Sequence, residues 1–135
     1  MKIKDIMTPC PYYVTAQSSL DDALKKMMLQ GIRHLPVIDQ DELVGVLSER
    51  DVRLSQFVCK TTKYCPTVGE TCVGEVFIVD GEREVSDLAD QMAREKRDCA
   101  MICDKDENVI GIFTTTDAFR LIHLLVSSGT EPKID

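Results

Sequence analysis

Apolar positions along this chain follow two alternating periods. Leu20, Ala23, Leu24, Met27 and Met28 lie at i, i+3, i+4, i+7 and i+8, one apolar stripe of a helix. Ser19 with Asp22 three residues later gives that helix a capping signal, and Gly31 gives it a stop. The period then shortens. Apolar runs at 35–38 and 43–47 flank an acidic turn at 39–42 and predict two strands. A second amphipathic helix starts near Glu49, and residues 12–15 supply one more strand ahead of the first helix.

The same order returns further along the chain. Gly45-Val46-Leu47-Ser48-Glu49-Arg50-Asp51 recurs 66 residues later as Gly111-Ile112-Phe113-Thr114-Thr115-Thr116-Asp117. Upstream, at an offset of 65, Val85, Leu88, Ala89, Met92 and Ala93 repeat the helical stripe, and 68–72 repeats 3–7. Lys96 stands where the first copy has Gly31, so the second helix lacks that stop signal. Strands are predicted at 77–80, 100–103 and 109–113, with a final helix from near Thr115. The repeating unit reads strand, helix, strand, strand, helix, and the fold class is α/β (α+β). The units fall at 1–58 and 67–127, with a polar, proline-bearing linker at 59–66 and a flexible C-terminal tail at 128–135. Neither unit is large enough to bury its own apolar faces well, so the two are expected to pack together.

Composition narrows the function classes. The 135 residues carry 16 basic and 23 acidic side chains, a net charge of −7. Such a surface repels phosphate backbones at long range, which argues against nucleic acid and anionic membrane as partners. The longest apolar run, 121–126, is far too short to span a bilayer, and no secretory signal is evident at the N-terminus. A cytoplasmic location is therefore expected, and in that compartment the six cysteines are expected to be thiols.

The recurring Gly-x-x-Ser/Thr-x-x-Asp is the most informative motif. Glycine at a strand end lets another backbone or a ligand approach closely. The hydroxyl and the helix N-terminus after it offer donors to a phosphate, and the Asp carboxylate suits a pair of ribose hydroxyls. Ser48 with Asp51, and Thr114 with Asp117, also read as plain capping boxes, and both readings stay open. His34 beside a strand is either a ligand group or a surface histidine, whereas His123 in an apolar helical run is expected to be packed. The methionines at 27, 28 and 92 belong to the core stripes. No Cys-x-x-Cys signals a zinc site. Cys99 and Cys103, on one face of a strand and about 13 Å apart, are too distant for a disulfide. Cys59 and Cys65 can approach each other, which opens a redox role. No nucleophile–base pair and no Walker-type glycine loop is present, so neither catalytic residues nor a metal site is expected.

The chain resembles a tandem pair of CBS domains, the cystathionine-β-synthase-type module also called a Bateman module. The resemblance runs from Ile3 to about Val126. Asp5-Ile6-Met7-Thr8-Pro9, Arg33-His34-Leu35-Pro36-Val37-Ile38-Asp39 and the Gly45–Asp51 and Gly111–Asp117 motifs carry it. It implies two units packed through their sheets about a pseudo-two-fold axis, with two clefts that take AMP, ADP, ATP or S-adenosylmethionine. By motif, Asp51 and Asp117 would hold ribose hydroxyls in separate clefts, Ser48 and Thr114 would face the ribose–phosphate region, and Val46 and Ile112 would line the base or sugar pocket. Arg33 and His34 would reach phosphates. Thr8, with the backbone around Tyr13 and Val14, would help enclose adenine. The second copy departs from the pattern: Asp98 and Cys99 replace Arg33 and His34, Met101 replaces Pro36, and Val73 replaces Thr8. Unequal clefts are therefore expected. Arg33, His34 and Arg50 favour adenylates over S-adenosylmethionine through their charge.

These readings describe a non-enzymatic regulatory module that binds an adenosine ligand and passes its state to a partner protein. Family members pair through their terminal helices, so a homodimer is implied. Two alternatives stand beside this: a dimerisation scaffold with degenerate clefts, and a thiol-based redox sensor using Cys59 and Cys65.

Overall fold

The computed structural model describes residues 1–9 and 12–129. A short 3-10 turn (Ile3–Asp5) leads into β1 (Thr8–Pro9), β2 (Val14–Thr15), α1 (Leu20–Gln30), β3 (His34–Asp39), β4 (Glu42–Ser48) and α2 (Glu49–Thr62). The second half follows with α3 (Val68–Thr71), β5 (Ile78–Asp80), α4 (Val85–Glu95), β6 (Cys99–Cys103), β7 (Val109–Thr114) and α5 (Thr115–Ser127).

Two compact units result. The continuous unit comprises residues 12–76; the discontinuous unit joins residues 1–9 to 77–129. They are offset from the sequence repeats, because each takes in the segment that opens the other repeat. In the discontinuous unit β1 pairs antiparallel with β7, Thr8 opposite Ile112 and Pro9 opposite Gly111. In the continuous unit Val73 forms the matching bridge to Val46 on β4. The glycines of the recurring motif explain the fit. A Cβ on Gly45 would lie 2.6 Å from the Cys72 sulfur and 2.7 Å from the Val73 carbonyl oxygen; one on Gly111 would lie 2.9 Å from the Thr8 carbonyl oxygen. The close neighbour that each glycine admits is the paired segment, through its side chain (Cys72 or Met7) as well as its backbone (Val73 or Thr8).

The continuous unit holds a three-stranded sheet in the order β2-β3-β4. β2 runs parallel to β3 with α1 as the crossover, and β3 and β4 form a hairpin. Its tip, Gln40 and Asp41, has φ of 50° and 63°, the positive pair that suits the twist of a two-residue hairpin. The discontinuous unit repeats the plan as β1-β7-β6-β5, with α4 crossing between the parallel β5 and β6.

Each unit has its own core. Val14, Leu20, Ala23, Met27, Leu35, Val37, Leu47, Val52 and Val68 fill the first; Ile3, Val79, Val85, Leu88, Met92, Ala100, Ile102 and Phe113 fill the second. The predicted helical stripes are narrower than expected, since Met28 is 69% exposed and Ala89 and Ala93 also face outward. Only the i, i+3 and i+7 positions are fully inside.

Four further sequence expectations are corrected. Lys96 caps α4 in the left-handed conformation (φ 56°) just as Gly31 caps α1, because the turn is tied by its amide to Met92 and Ala93. The linker expected at 59–66 is helical as far as Thr62. Cys59 and Cys65 are joined as a disulfide, against the expectation of thiols throughout. His123 is exposed on α5. Most of the tail expected at 128–135 lies outside the described residues. No described helix is long and apolar enough to cross a membrane.

Candidate functional site

The two Gly-x-x-Ser/Thr-x-x-Asp segments fold into matching strand–helix junctions, one in each unit. β4 ends at Ser48 and α2 begins at Glu49; β7 ends at Thr114 and α5 begins at Thr115. A backbone bond closes each junction from the neighbouring strand: the Glu49 amide donates to the Arg33 carbonyl at 2.8 Å, and the Thr115 amide to the Asp98 carbonyl at 3.2 Å.

Their carboxylates are used in different ways. At the first junction Ser48 is the cap, its hydroxyl accepting from the Asp51 amide at 3.0 Å. Asp51 is half-buried, and its carboxylate has no hydrogen-bond or ion-pair partner among the described residues. At the second junction Asp117 is 4% exposed and does the capping itself. One carboxylate oxygen accepts from the Thr114 amide at 2.9 Å and the Thr114 hydroxyl at 3.3 Å; the other accepts from the Thr8 hydroxyl at 2.6 Å and from Arg120 at 3.3 Å. The lone pairs a ribose would seek are free at Asp51 and occupied at Asp117.

The sequence contains the reason. At the repeat offsets, Thr8 corresponds to Val73 and Arg120 to Leu54. Two of the three residues that engage Asp117 are thus replaced by apolar side chains in the first junction, and the third, Thr114, by Ser48. Val73 bridges Val46 as Thr8 pairs with Ile112, with amide-to-carbonyl bonds of 3.0 and 3.1 Å, but it has no hydroxyl to donate. Cys72, beside it, donates its thiol to the Gly69 carbonyl at 3.5 Å. Burial pushes that thiol above its ordinary value, and the nearby Asp51 charge adds to the effect, so Cys72 stands at the junction as a neutral thiol. Thr8 drew attention in the sequence as an adenine contact; its role as the partner of Asp117 did not.

Several expected residues gather at the first junction. His34 lies opposite Ser48 and Pro36 opposite Val46 in the β3–β4 register, which brings His34, Ser48, Val46 and Asp51 to one end of the sheet. Arg33 adjoins them with a largely exposed side chain, its Nε 3.7 Å from Glu49, which Arg53 also engages at 3.1 Å. Arg50 is exposed and has no partner among the described residues. Other expected residues take different places. The Val14 side chain is in the core and offers a ligand only its backbone. Tyr13 is exposed, with Lys26 5.7 Å over its ring and donating to its carbonyl at 2.7 Å. Thr8, Ile112, Thr114 and Asp117 all belong to the discontinuous unit, whereas Tyr13 and Val14 belong to the continuous one. Ile112 is 5% exposed and presents almost no surface. Arg97 lies 4.3 Å over the ring of Phe77, the counterpart of Tyr12.

No group of three or more metal-ligating side chains occurs among the described residues. The CBS domain family model matches residues 3–56 and 68–124, most of the chain in two copies. The chain is a tandem pair of CBS domains. Solved CBS pairs share its fold along nearly their whole length. The pair from MJ0100, in complex with 5′-methylthioadenosine and S-adenosyl-L-methionine, is 25% identical with a TM-score of 0.78, covering 91% of this chain and 96% of its own. CBSX2 in complex with AMP is 28% identical with a TM-score of 0.74, covering 93% and 98%. Among curated proteins, homoserine O-acetyltransferase of Methanosphaerula palustris is 24% identical over 121 residues, 89% of this chain. The CBS pair spans about a quarter of the length of such curated relatives, 24% in that case and 23% and 22% in two others.

Proposed function

We propose that this CBS pair is a regulatory module that binds an adenosine ligand (AMP, ADP, ATP or S-adenosylmethionine) at the Gly45–Asp51 junction and acts by binding rather than turnover. The observation that carries the reading is the uncommitted, half-buried Asp51 carboxylate beside the Ser48 cap. A carboxylate in that state is an acceptor for vicinal ribose hydroxyls, and the start of α2 with Arg33, His34 and Arg50 supplies positive potential for a phosphate. Similarity to CBS pairs that bind AMP and S-adenosylmethionine supports the ligand class. Asp117, engaged by Thr8, Thr114 and Arg120, would have to give up these bonds before a ribose could replace them. The second junction is therefore the weaker site or an idle one.

The ligand state is passed on by favouring one conformation over another, which requires unequal affinity for the two. The receiver is a partner protein, and the module itself pairs as a homodimer. Exposed apolar side chains support that pairing: Leu54, Phe57 and Val58 on α2, and Phe119, Ile122 and Val126 on α5. Sedimentation of the wild-type chain and of Phe57→Asp and Phe119→Asp tests it.

Thermal unfolding with each of the four ligands tests the binding. A ligand at 100 times its Kd stabilises the folded state by about 2.7 kcal/mol. One of the four is expected to raise the melting temperature in the wild type and in Asp117→Ala, from a lower starting point in the variant, and to lose its effect in Asp51→Ala. No shift with any ligand, or a shift lost only in Asp117→Ala, overturns the reading.

A further inference from the structure

The cysteine pair at the end of α2 takes no part in the proposed ligand site. Cys59 lies in the last turn of α2 and Cys65 six residues on, with Cα atoms 4.4 Å apart and a disulfide between them. What surrounds this bond is unequal in strength. Upstream, α2 is held by the fully buried Val52 and by Gln56, whose amide donates to Asp21 at 3.1 Å. Downstream, α3 is anchored three times over. Thr67 and Glu70 form its capping box, the Val68 and Gly69 amides donate to the Ser18 and Ala16 carbonyls at 3.1 and 2.8 Å, and Val68 is fully buried.

The stretch between has no such support. Every residue from Lys60 to Cys65 is exposed. Apart from the disulfide and the last backbone bonds of α2, which runs to Thr62, this stretch is held to the unit by the Lys63 amide on the Cys59 carbonyl at 3.0 Å, the Tyr64 hydroxyl on Glu70, and hydroxyl bonds from Thr61 and Thr62 to the preceding turn. A segment with exposed hydrogen bonds and no buried apolar side chain opens at little cost in free energy. The crosslink is what keeps it closed. Access is also provided. Both cysteines line a cavity of about 590 Å³, together with Ser18, Asp21, Gln56 and Thr67.

We propose that the Cys59–Cys65 disulfide is a reversible latch, opened by exchange with a dithiol reductant, that releases the end of α2 and the connection to α3 while the rest of the continuous unit stays folded. In the first step a thiolate of the dithiol attacks the exposed Cys65 sulfur, and Cys59 leaves as a thiolate and takes up a proton. In the second step the remaining thiol of the reductant attacks the mixed disulfide and releases Cys65. The net change is one dithiol oxidised to a disulfide and two protein cysteines reduced to thiols. The released turn directly follows Phe57 and Val58, so opening the latch alters one end of the exposed apolar face of α2.

The test uses the full chain in native buffer, with dithiothreitol as the dithiol. Mass spectrometry after alkylation counts reactive thiols, and amide hydrogen exchange follows residues 60–66 against α3, α1 and β4. The expected result is two added alkylation adducts, on Cys59 and Cys65, with amide protection lost only within 60–66 and regained on reoxidation. Cys59→Ser/Cys65→Ser is expected to show the reduced pattern without any reductant. A variant that failed to fold would also lose protection in α1 and β3, and the wild-type reduction then decides alone. The proposal is overturned if the pair resists dithiothreitol until denaturant is added. It is overturned equally if protection is lost through α3 and β4 together, or if no residue changes its exchange when the pair is reduced.

Discussion

Alanine at Asp117 and alanine at Asp51 are the same change at equivalent positions, and the two junctions predict unequal costs for it. Asp117→Ala removes the acceptor that caps the start of α5, a loss typically of about 0.5–2 kcal/mol. It also leaves the part-buried Thr8 hydroxyl without its acceptor, for about 1–3 kcal/mol more. A total of about 1.5–5 kcal/mol is expected. Asp51→Ala leaves the cap of α2 in place, because that bond runs from the Asp51 amide to the Ser48 hydroxyl. Only the carboxylate's favourable position at the helix start is lost, about 0.3–1 kcal/mol. For a chain of this length each kcal/mol moves the melting temperature by about 3–5 °C, which predicts a fall of about 5–25 °C for Asp117→Ala and at most about 5 °C for Asp51→Ala. Ser48→Ala serves as an internal check, since it removes the α2 cap and is expected to cost more than Asp51→Ala on the same helix. Circular dichroism melts and urea midpoints of the three variants read the differences. Equal losses at Asp51 and Asp117, or a larger loss at Asp51, would refute the assignment of one carboxylate to structure and the other to a ligand.

The glycines and the opening segment give further predictions. Gly111→Ala places a Cβ 2.9 Å from the Thr8 carbonyl oxygen, where backbone cannot easily yield, and a destabilisation of about 1–3 kcal/mol is expected, with β1 amides losing exchange protection first. Gly45→Ala is expected to do the same to the Val73 bridge and to weaken ligand binding with it. The hydrogen bond from Lys2 holds the Glu84 carboxyl below its ordinary 4.5. Because that value is depressed in the folded state, the pair's contribution is present above the ordinary range and lost as pH falls through the folded value. A carboxyl-carbon NMR titration is expected to find Glu84 titrating below most exposed glutamates of the chain, and an ordinary value would refute the contact.

The elements that the chain's periodicity announces are those long enough to carry a period. The paired strands β3–β4 and β6–β7 and helices α1, α2, α4 and α5 all appear within a residue or so of where the apolar pattern starts them, since each needs one face for its core. The two-residue β1 left no such trace, because its pairing with β7 joins positions more than a hundred residues apart. Helix α3 is spelled out by Thr67 and Glu70, yet at four residues it is too short for a stripe. The Cys59–Cys65 pairing was visible only as a possibility of spacing, because the helix that brings them together continues where composition suggested a linker. At the candidate site the motif located both carboxylates and left their states open. Their difference depends on Thr8 and Arg120 against Val73 and Leu54, and only the fold shows that Thr8 faces the Asp of the other repeat. The replacement of Thr8 by Val73, which in sequence weakened the second copy, instead leaves the first copy's Asp51 free.

The offset between repeats and units gives the chain the topology of an insertion, with the continuous unit as guest and the discontinuous unit as host. The host's two pieces meet in one sheet with β1 and β5 at opposite edges, three strand spacings or about 14 Å apart, and the folded guest bridges them. If the guest melts, the host must close a flexible loop of about 66 residues, an entropic cost of about 4 kcal/mol. If the host melts, the guest merely acquires two tails. Through chain connectivity alone, the host is weakened as soon as its guest unfolds, whereas the guest that carries Asp51 incurs no loop-closure cost when its host does.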